Sequence, residues 1–367
     1  FEDRTNDIFD GDGNLGMVSD ALWTDFNDDG YIDLIVVGEF MDVRFFKNKE
    51  GRLVDVTQET GLKNMNGWWN SIVSGDFDQD GDTDYVVGNL GQNSDVKASP
   101  EEPVTIYAKD FDGNGSIDPL LSCFRNGKEH LIHPRDVVVG QISSFRNRFL
   151  DYESYANATM DKTFTENDLK DAIIVKATNF SSTYIENLGN GKFMAVPLPL
   201  EAQFAPVYGI QARDYNMDGL LDLLLVGNHY SVEPSTGPYD ASIGTLLLGD
   251  GANFSYVKPA KSGVTTTGDA KGIATMIAAD KNTLTLIGQN SEKLLVYSNR
   301  TTHQYIAVDP LELFVKVHLK NGKVVKYEFP YGESYLSQSS RFLMINNEAT
   351  DFVEFITATG EKRNQKI

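Results

Sequence analysis

An acidic turn of nine residues occurs four times in the chain: DFNDDGYID at 25–33, DFDQDGDTD at 76–84, DFDGNGSID at 110–118 and DYNMDGLLD at 214–222. Every copy has Asp first, an aromatic ring second, Asp or Asn third and fifth, Gly sixth and Asp ninth. A fold that takes the same turn four times is itself repetitive. Hard cations such as Ca²⁺ gather roughly six to eight oxygens at about 2.3–2.6 Å. Side chains at the first, third, fifth and ninth positions can converge on such an ion, while the sixth-position Gly permits the sharp reversal. The predicted ligands are Asp25, Asn27, Asp29 and Asp33; Asp76, Asp78, Asp80 and Asp84; Asp110, Asp112, Asn114 and Asp118; and Asp214, Asn216, Asp218 and Asp222. The seventh residue varies (Tyr31, Asp82, Ser116, Leu220), which fits a main-chain carbonyl ligand. An EF-hand is excluded, because its twelfth-position Glu is here Val36, Val87, Leu121 and Leu225. A single copy would equally suit a polar β-turn; four in one register favour about four Ca²⁺ sites.

The flanks of the turns are β-rich. YIDLIVVG, DTDYVVGN and LLDLLLVGN follow turns, and NSIVSGDF and VYGIQARDY precede two of them. RFFKNKEGRLVDVT (44–57), STYIENLGNGKFMAVPL (182–198) and GTLLLGDGANFSYV (244–257) share a strand, an Asn or Asp, a Gly turn and a second strand. FEDRT at 1–5 resembles LVDVT at 53–57, which predicts that the chain opens on the last strand of an earlier repeat. Residues 268–300 read as a hairpin set without a metal turn. Modules of this size predict an all-β fold, a β-propeller of about five to seven blades. Ile142, Phe145, Phe149, Tyr152 and Ala156 fall at helical spacing and TEND at 165–168 has the form of a capping box, predicting a helical insertion over about 134–172. From 309 the texture changes. LFVKVHLKNGKVVKYEF holds two alternating strands around Asn321-Gly322, so the propeller is assigned to 1–308 and a small β unit to 309–367.

These phrases resemble the FG-GAP/VCBS repeat β-propellers, whose calcium turns also occur in integrin α heads. DALWTDFNDDGYIDLIVVGEF, GWWNSIVSGDFDQDGD, GNLGQNSDVKASPEEP, EAQFAPVYGI, GPYDASIGTLLLGDG and SYLSQSSR are similar to bacterial VCBS proteins with a C-terminal ASPIC/UnbV region, common in Bacteroidetes. The end departs from that pattern, with LMINN and ITATG where a Gly-rich turn and a Trp-Pro step are usual. The resemblance implies the fold, calcium and an exported, periplasmic or surface location. It implies no reaction.

Composition narrows the partners. With 53 acids against 32 bases the net charge is −21, which argues against nucleic acid and against anionic membrane surfaces. No apolar run approaches the ~20 residues of a membrane span, and Cys123, the one cysteine, can form no intrachain disulfide. The sequence leaves the oligomeric state open. Of His130, His133, His229, His303 and His318, the first two have the spacing of a transition-metal pair, but HLIHP has no clear third ligand nearby, and all five read as surface or structural residues. No nucleophile elbow or phosphate loop occurs in a supporting context. Ligand candidates are the aromatic residues of the long loops: Trp68 and Trp69 in NGWWN, and His229, Tyr230 and Tyr239 in GNHYSVEPSTGPYDAS. Their rings suit sugars; equally, the tryptophans can wedge between blades. The expected function is a calcium-stabilised binding module for a glycan or protein. The alternatives are a calcium-dependent polysaccharide lyase or hydrolase, or a structural part of an envelope protein.

Overall fold

The computed structural model describes residues 1–11, 13–299 and 304–367, so His303 lies outside the described residues. Most of the regular structure is β. Four sheets follow one another like the leaves of a fan. The first runs Met17–Thr24, Asp33–Met41, Arg44–Lys49, Arg52–Asp55 in antiparallel order, with the short Gly67–Trp68 strand added to the far end of its second strand. The second sheet is Ser71–Gly75, Asp84–Gly88, Thr183–Asn187, Phe193–Pro197. The third is Val207–Arg213, Asp222–Gly227, Thr245–Gly249, Phe254–Val257, and the fourth Ala270–Ile277, Thr283–Gln289, Leu295–Ser298. The first strand of each sheet lies beside the first strand of the next. No closed ring forms among the described residues.

Second strands such as Asp33–Met41 and Asp222–Gly227 are almost wholly buried, which is why they read as continuous apolar runs rather than alternating ones. The aromatic at the second position of each fan turn is the wedge between neighbouring sheets. Phe26 meets Phe45 edge-on at 5.4 Å and Phe193 at 6.2 Å. Phe77 does the same with Tyr184 at 5.8 Å and Phe254 at 5.6 Å. Tyr215 joins the cluster of Leu224, Val226, Ile273 and Ile287 between the third and fourth sheets.

Two expectations change. FEDRT is not a strand: the Asp3 carboxylate accepts from the Thr5 N–H at 2.9 Å and from its hydroxyl, and a helical turn follows over Thr5–Ile8. The interruption of the fan is also larger than its helical part. Between the second and third strands of the second sheet lies a separate four-stranded sheet, in the order Lys128–Leu131, Asp118–Arg125, Val104–Lys109, Ile173–Ala177. Five short helices between Arg135 and Leu169 cover it. Ile142, Phe145 and Phe149 are buried there with Leu120 and Phe164, while Tyr152 faces solvent. Thr165 and Asp168 form the expected reciprocal cap.

The C-terminal unit pairs Val324–Glu328, Glu312–Leu319, Thr350–Thr357 and Lys362–Lys366 in one sheet, and Gln304–Ala307 with Phe342–Ile345 in another. It lies against the inner edge of the fan. First strands there present N–H groups with no strand partner, a liability that proteins cover. The serines of SYLSQSSR cover them: Ser334 Oγ accepts from Ile210 N–H at 2.7 Å, Ser337 Oγ from Ile273 N–H at 3.1 Å and Ser339 Oγ from Thr275 N–H at 3.1 Å.

Asp20 plays the same part between the first two sheets, its Oδ2 accepting from Ile72 N–H at 3.0 Å. Burial raises its pKa from 3.8 to about 6, against the two backbone hydrogen bonds that lower it. Between pH ~4 and ~6 the folded state therefore binds the extra proton, and this group's contribution to stability falls as pH rises through that window. Asp20→Asn should remove the dependence and be more stable than wild type at pH 7.5, by ~1–2 kcal/mol after allowing for partial exposure. The advantage should vanish at pH 4 in urea melts. An equal difference at both pH values would refute the assignment.

Candidate metal centres

Three of the acidic turns join first to second strands at one end of the fan, in the first, second and third sheets. The fourth sheet has a tight turn there instead, closed by the Ala278 N–H to Asn282 carbonyl bond at 2.8 Å. The 110–118 turn stands apart, on the hairpin Val104–Lys109/Asp118–Arg125 of the inserted sheet. In all four turns the sixth-position glycine is left-handed, with φ of 84°, 100°, 88° and 91° at Gly30, Gly81, Gly115 and Gly219. A side chain would be strained in that conformation.

In three of the turns the first Asp folds the turn onto itself. Asp25 accepts from the N–H groups of Asp29 and Gly30, Asp110 from those of Asn114 and Gly115, and Asp214 from those of Met217 and Gly219. In the second turn Asp76 Oδ2 accepts from the Lys326 N–H of the C-terminal unit instead, at 2.9 Å. The ninth Asp begins the next strand and is buried in every copy. In the fan turns it also anchors the third strand: Asp33 Oδ1 accepts from Asn48 N–H at 2.7 Å, Asp84 Oδ1 from Asn187 N–H at 2.8 Å and Asp222 Oδ1 from Gly249 N–H at 3.0 Å. The Asn of the strand–Asn–Gly pattern is thus the anchor point. Its amide donates to the carbonyls of Ile32 (Asn48) and of Phe26 and Thr83 (Asn187). In the third sheet that point is Gly249, not Asp250; a Cβ there would come within 2.3 Å of the Leu221 carbonyl oxygen.

Burial raises the ninth carboxyls well above 3.8: to about 7 at Asp33 and Asp222 and about 8 at Asp84, although the backbone hydrogen bonds oppose it. Desolvation likewise raises Asp76 to about 6 and, with help from Asp80, Asp28 and Asp78, Asp82 to about 7. These are clusters of acid crowded together without enough positive charge.

Whether the residues fit a cation is tested by their unused oxygens. Asn27 Oδ1, Asp76 Oδ1, Asp82 Oδ1 and Asp112 Oδ1 are buried and have no hydrogen-bond donor. A buried acceptor without a donor is costly, and these four lie at first, third and seventh positions of three different turns. One carboxylate oxygen each from Asp76, Asp78 and Asp80, and from Asp110, Asp112 and Asp118, gather within 4.8 Å of one another. The two remaining turns carry Asn at the third position, with Asn27 Nδ2 donating to Asp33 Oδ2 at 2.5 Å and Asn216 Nδ2 to Asp218 Oδ2 at 2.8 Å. The acidic clusters can hold a metal ion with oxygen ligands only, the donor set of a hard cation. Asp82 offers a side-chain oxygen where only a main-chain ligand was expected.

Protein cations already lean on these turns. Lys47 Nζ pairs with Asp29 at 2.9 Å. Lys326, only 3% exposed, pairs with Asp28 at 2.6 Å and Glu328 at 3.5 Å. The sequence reading did not single out Lys326, and nothing in the alternation of VVKYE marks it as facing the turns.

The aromatic candidates do not form one site. Trp69 is fully buried, its indole N–H donating to the Met41 and Met65 carbonyls at 3.1 and 2.9 Å, so it offers no face to a ligand. It is the wedge between the first and second sheets. Trp68 packs on Phe40 at 5.1 Å, in a cluster that also takes in Tyr239. His229 is engaged by the Tyr208 hydroxyl and Lys271, both at 3.2 Å. Tyr230 is 43% exposed, with its hydroxyl tied to the Thr267 carbonyl.

Residues 25–87, from the first Asp of one turn to the strand after the next, match the FG-GAP-like repeat family. No curated protein matches the chain. FG-GAP repeats are typical of integrin-like interaction modules of extracellular or surface proteins and often bind calcium. No described helix is long and apolar enough to cross a membrane.

Proposed function

We propose that the chain is an exported, calcium-stabilised interaction module of the β-propeller type, whose acidic turns hold about four Ca²⁺ as scaffold and whose partner is an extended protein segment. In this reading the C-terminal unit is the ASPIC/UnbV-like region, its serines lining the inner edge of the propeller. The observation that supports a protein partner is a groove of about 840 Å³ between the first fan sheet and the inserted sheet. Met17, Met41, Ile106, Ile173 and Val175 contribute apolar surface to it, and Ile173 is 65% exposed. Exposed apolar surface rimmed by polar groups marks interaction sites. Ile173–Ala177 is also an edge strand of its sheet, able to accept a further strand. The carboxylates of Glu39, Asp42 and Glu59 line the same groove, and its one arginine, Arg44, is held by Asp55 at 2.6 Å. Such a groove favours Lys or Arg beside aliphatic residues. A glycan is less favoured because Trp69 and most of Trp68 are spent on packing.

The test is selection of displayed random peptides on the immobilised protein. Basic–aliphatic sequences should be enriched, and their binding should fall at least tenfold with Ile173→Glu or Glu39→Lys while the melting temperature holds. Peptides that bind both variants as well as wild type would place the interaction elsewhere.

A further inference from the structure

A second cavity lies where the C-terminal unit meets the second and third leaves of the fan. It has a volume of about 270 Å³ and is lined by Val73, Leu221, Val317 and Phe342 together with Arg213 and Arg341. Arg213 ends the first strand of the third sheet and is 13% exposed. A guanidinium presents five N–H donors and does not give up its proton. Yet the Arg213 guanidinium makes no hydrogen bond among the described residues. Its nearest acid is Glu333, at a long 3.8 Å, its guanidinium lies over the Phe342 ring at 5.0 Å, and its Nε is buried without a partner. Arg341 Nε is likewise buried and unpaired, although its terminal nitrogens donate to the carbonyls of Phe329, Asp309 and Glu312.

The other acids that line this cavity are engaged elsewhere. Asp214 accepts from Met217 and Gly219, Asp218 from Leu220 and Asn216, and Glu328 from Thr24 and Thr83 beside Lys326. A buried charge without hydrogen bonds is destabilising unless something completes it. We propose that the cavity binds a small organic carboxylate, with Arg213 as its anchor. A planar carboxylate accepts two parallel N–H bonds from a guanidinium, and the apolar wall suits a compact carbon body. The volume lies just below the roughly 300 Å³ at which drug-sized pockets begin, which limits the ligand to about one ring. This site is separate from the peptide groove and does not depend on it.

The test uses benzoate and glucuronate against chloride at equal ionic strength, read by thermal melting and titration calorimetry, with sulfate as the non-planar anion. At least one carboxylate should raise the melting temperature saturably and bind more tightly than sulfate. Arg213→Met should abolish that binding, and Arg213→Lys, which keeps the charge without the fork, should weaken it at least tenfold. If no carboxylate exceeds chloride, if sulfate binds better, or if Arg213→Lys binds as wild type does, the proposal is wrong and the guanidinium is completed by water alone.

Discussion

Removal of divalent cations should lower the melting temperature by about 10 °C or more, with Ca²⁺ restoring it and Mg²⁺ doing so poorly. A cation at about one hundred times its dissociation constant adds ~2.7 kcal/mol per site. Three fan sites together reach ~8 kcal/mol, and a chain of this length shifts by about 1–2 °C per kcal/mol. Mg²⁺ is the weaker substitute because it demands a tight octahedron and sheds water reluctantly. The effect should also grow with pH. Without metal, the raised pKa values of Asp33, Asp222 and Asp84 mean that the folded state carries protons the unfolded chain has released, from pH ~4 up to about 7–8. The metal-free protein therefore loses stability across that window as pH rises. Metal needs the ionised carboxylates, so its affinity rises over the same range. The gap between loaded and stripped protein should be wider at pH 8 than at pH 6. Among single changes, Asp76→Asn should cost more than Asp110→Asn, because the insert turn has no third strand anchored to its ninth Asp. A melting curve unmoved after verified stripping would remove the metal from the account, and equal gaps at both pH values would remove the proton linkage.

How far the sequence carries the fold depends on whether a feature is local. The turns were legible because each is specified by nine consecutive residues: the glycine conformation, the acid positions and the strand after the ninth Asp all follow from short-range sterics. The Asn of the strand–Asn–Gly pattern was visible as a recurrence, but its purpose was not. It meets the ninth Asp across 15 residues in the first sheet and 103 in the second. The capping box at Thr165 was readable for the same reason as the turns. The inserted sheet was hidden because its hairpin carries the same acidic turn as the fan, and periodicity cannot say which sheet a turn serves. Trp69 illustrates a further limit. An aromatic pair between glycine and asparagine suits a ligand loop as well as a wedge; only the two carbonyls that meet its N–H decide. FEDRT misled by likeness to LVDVT, since an Asp two residues before a Thr can equally hold a helical turn by accepting from the Thr N–H and hydroxyl.

Lys326→Met should destabilise the protein by ~3–5 kcal/mol, the cost of removing one partner of a buried ion pair. The ammonium is where the C-terminal unit meets the acidic turns: it reaches Asp28 and Glu328, and the backbone N–H of the same residue donates to Asp76. Burial works against its charge, but Glu328, Asp28 and Asp25 outweigh it and hold its pKa above the ordinary value. Without it, Glu328 remains beside the Asp25 turn, its side chain 2% exposed and its charge uncompensated. Because the penalty lies in the unpaired carboxylate, Lys326→Met combined with Glu328→Gln should recover a large part of the loss. A glutamine at 328 keeps an oxygen to accept from the Thr24 and Thr83 hydroxyls. Urea melts of the two single variants and the double variant close the cycle. Additive losses in the double variant would mean that Lys326 acts through packing rather than charge. The loss from Lys326→Met should also persist in saturating Ca²⁺, since Asp28 and Glu328 occupy no ligand position in either turn. A loss confined to metal-free protein would instead make Lys326 a stand-in for the cation itself.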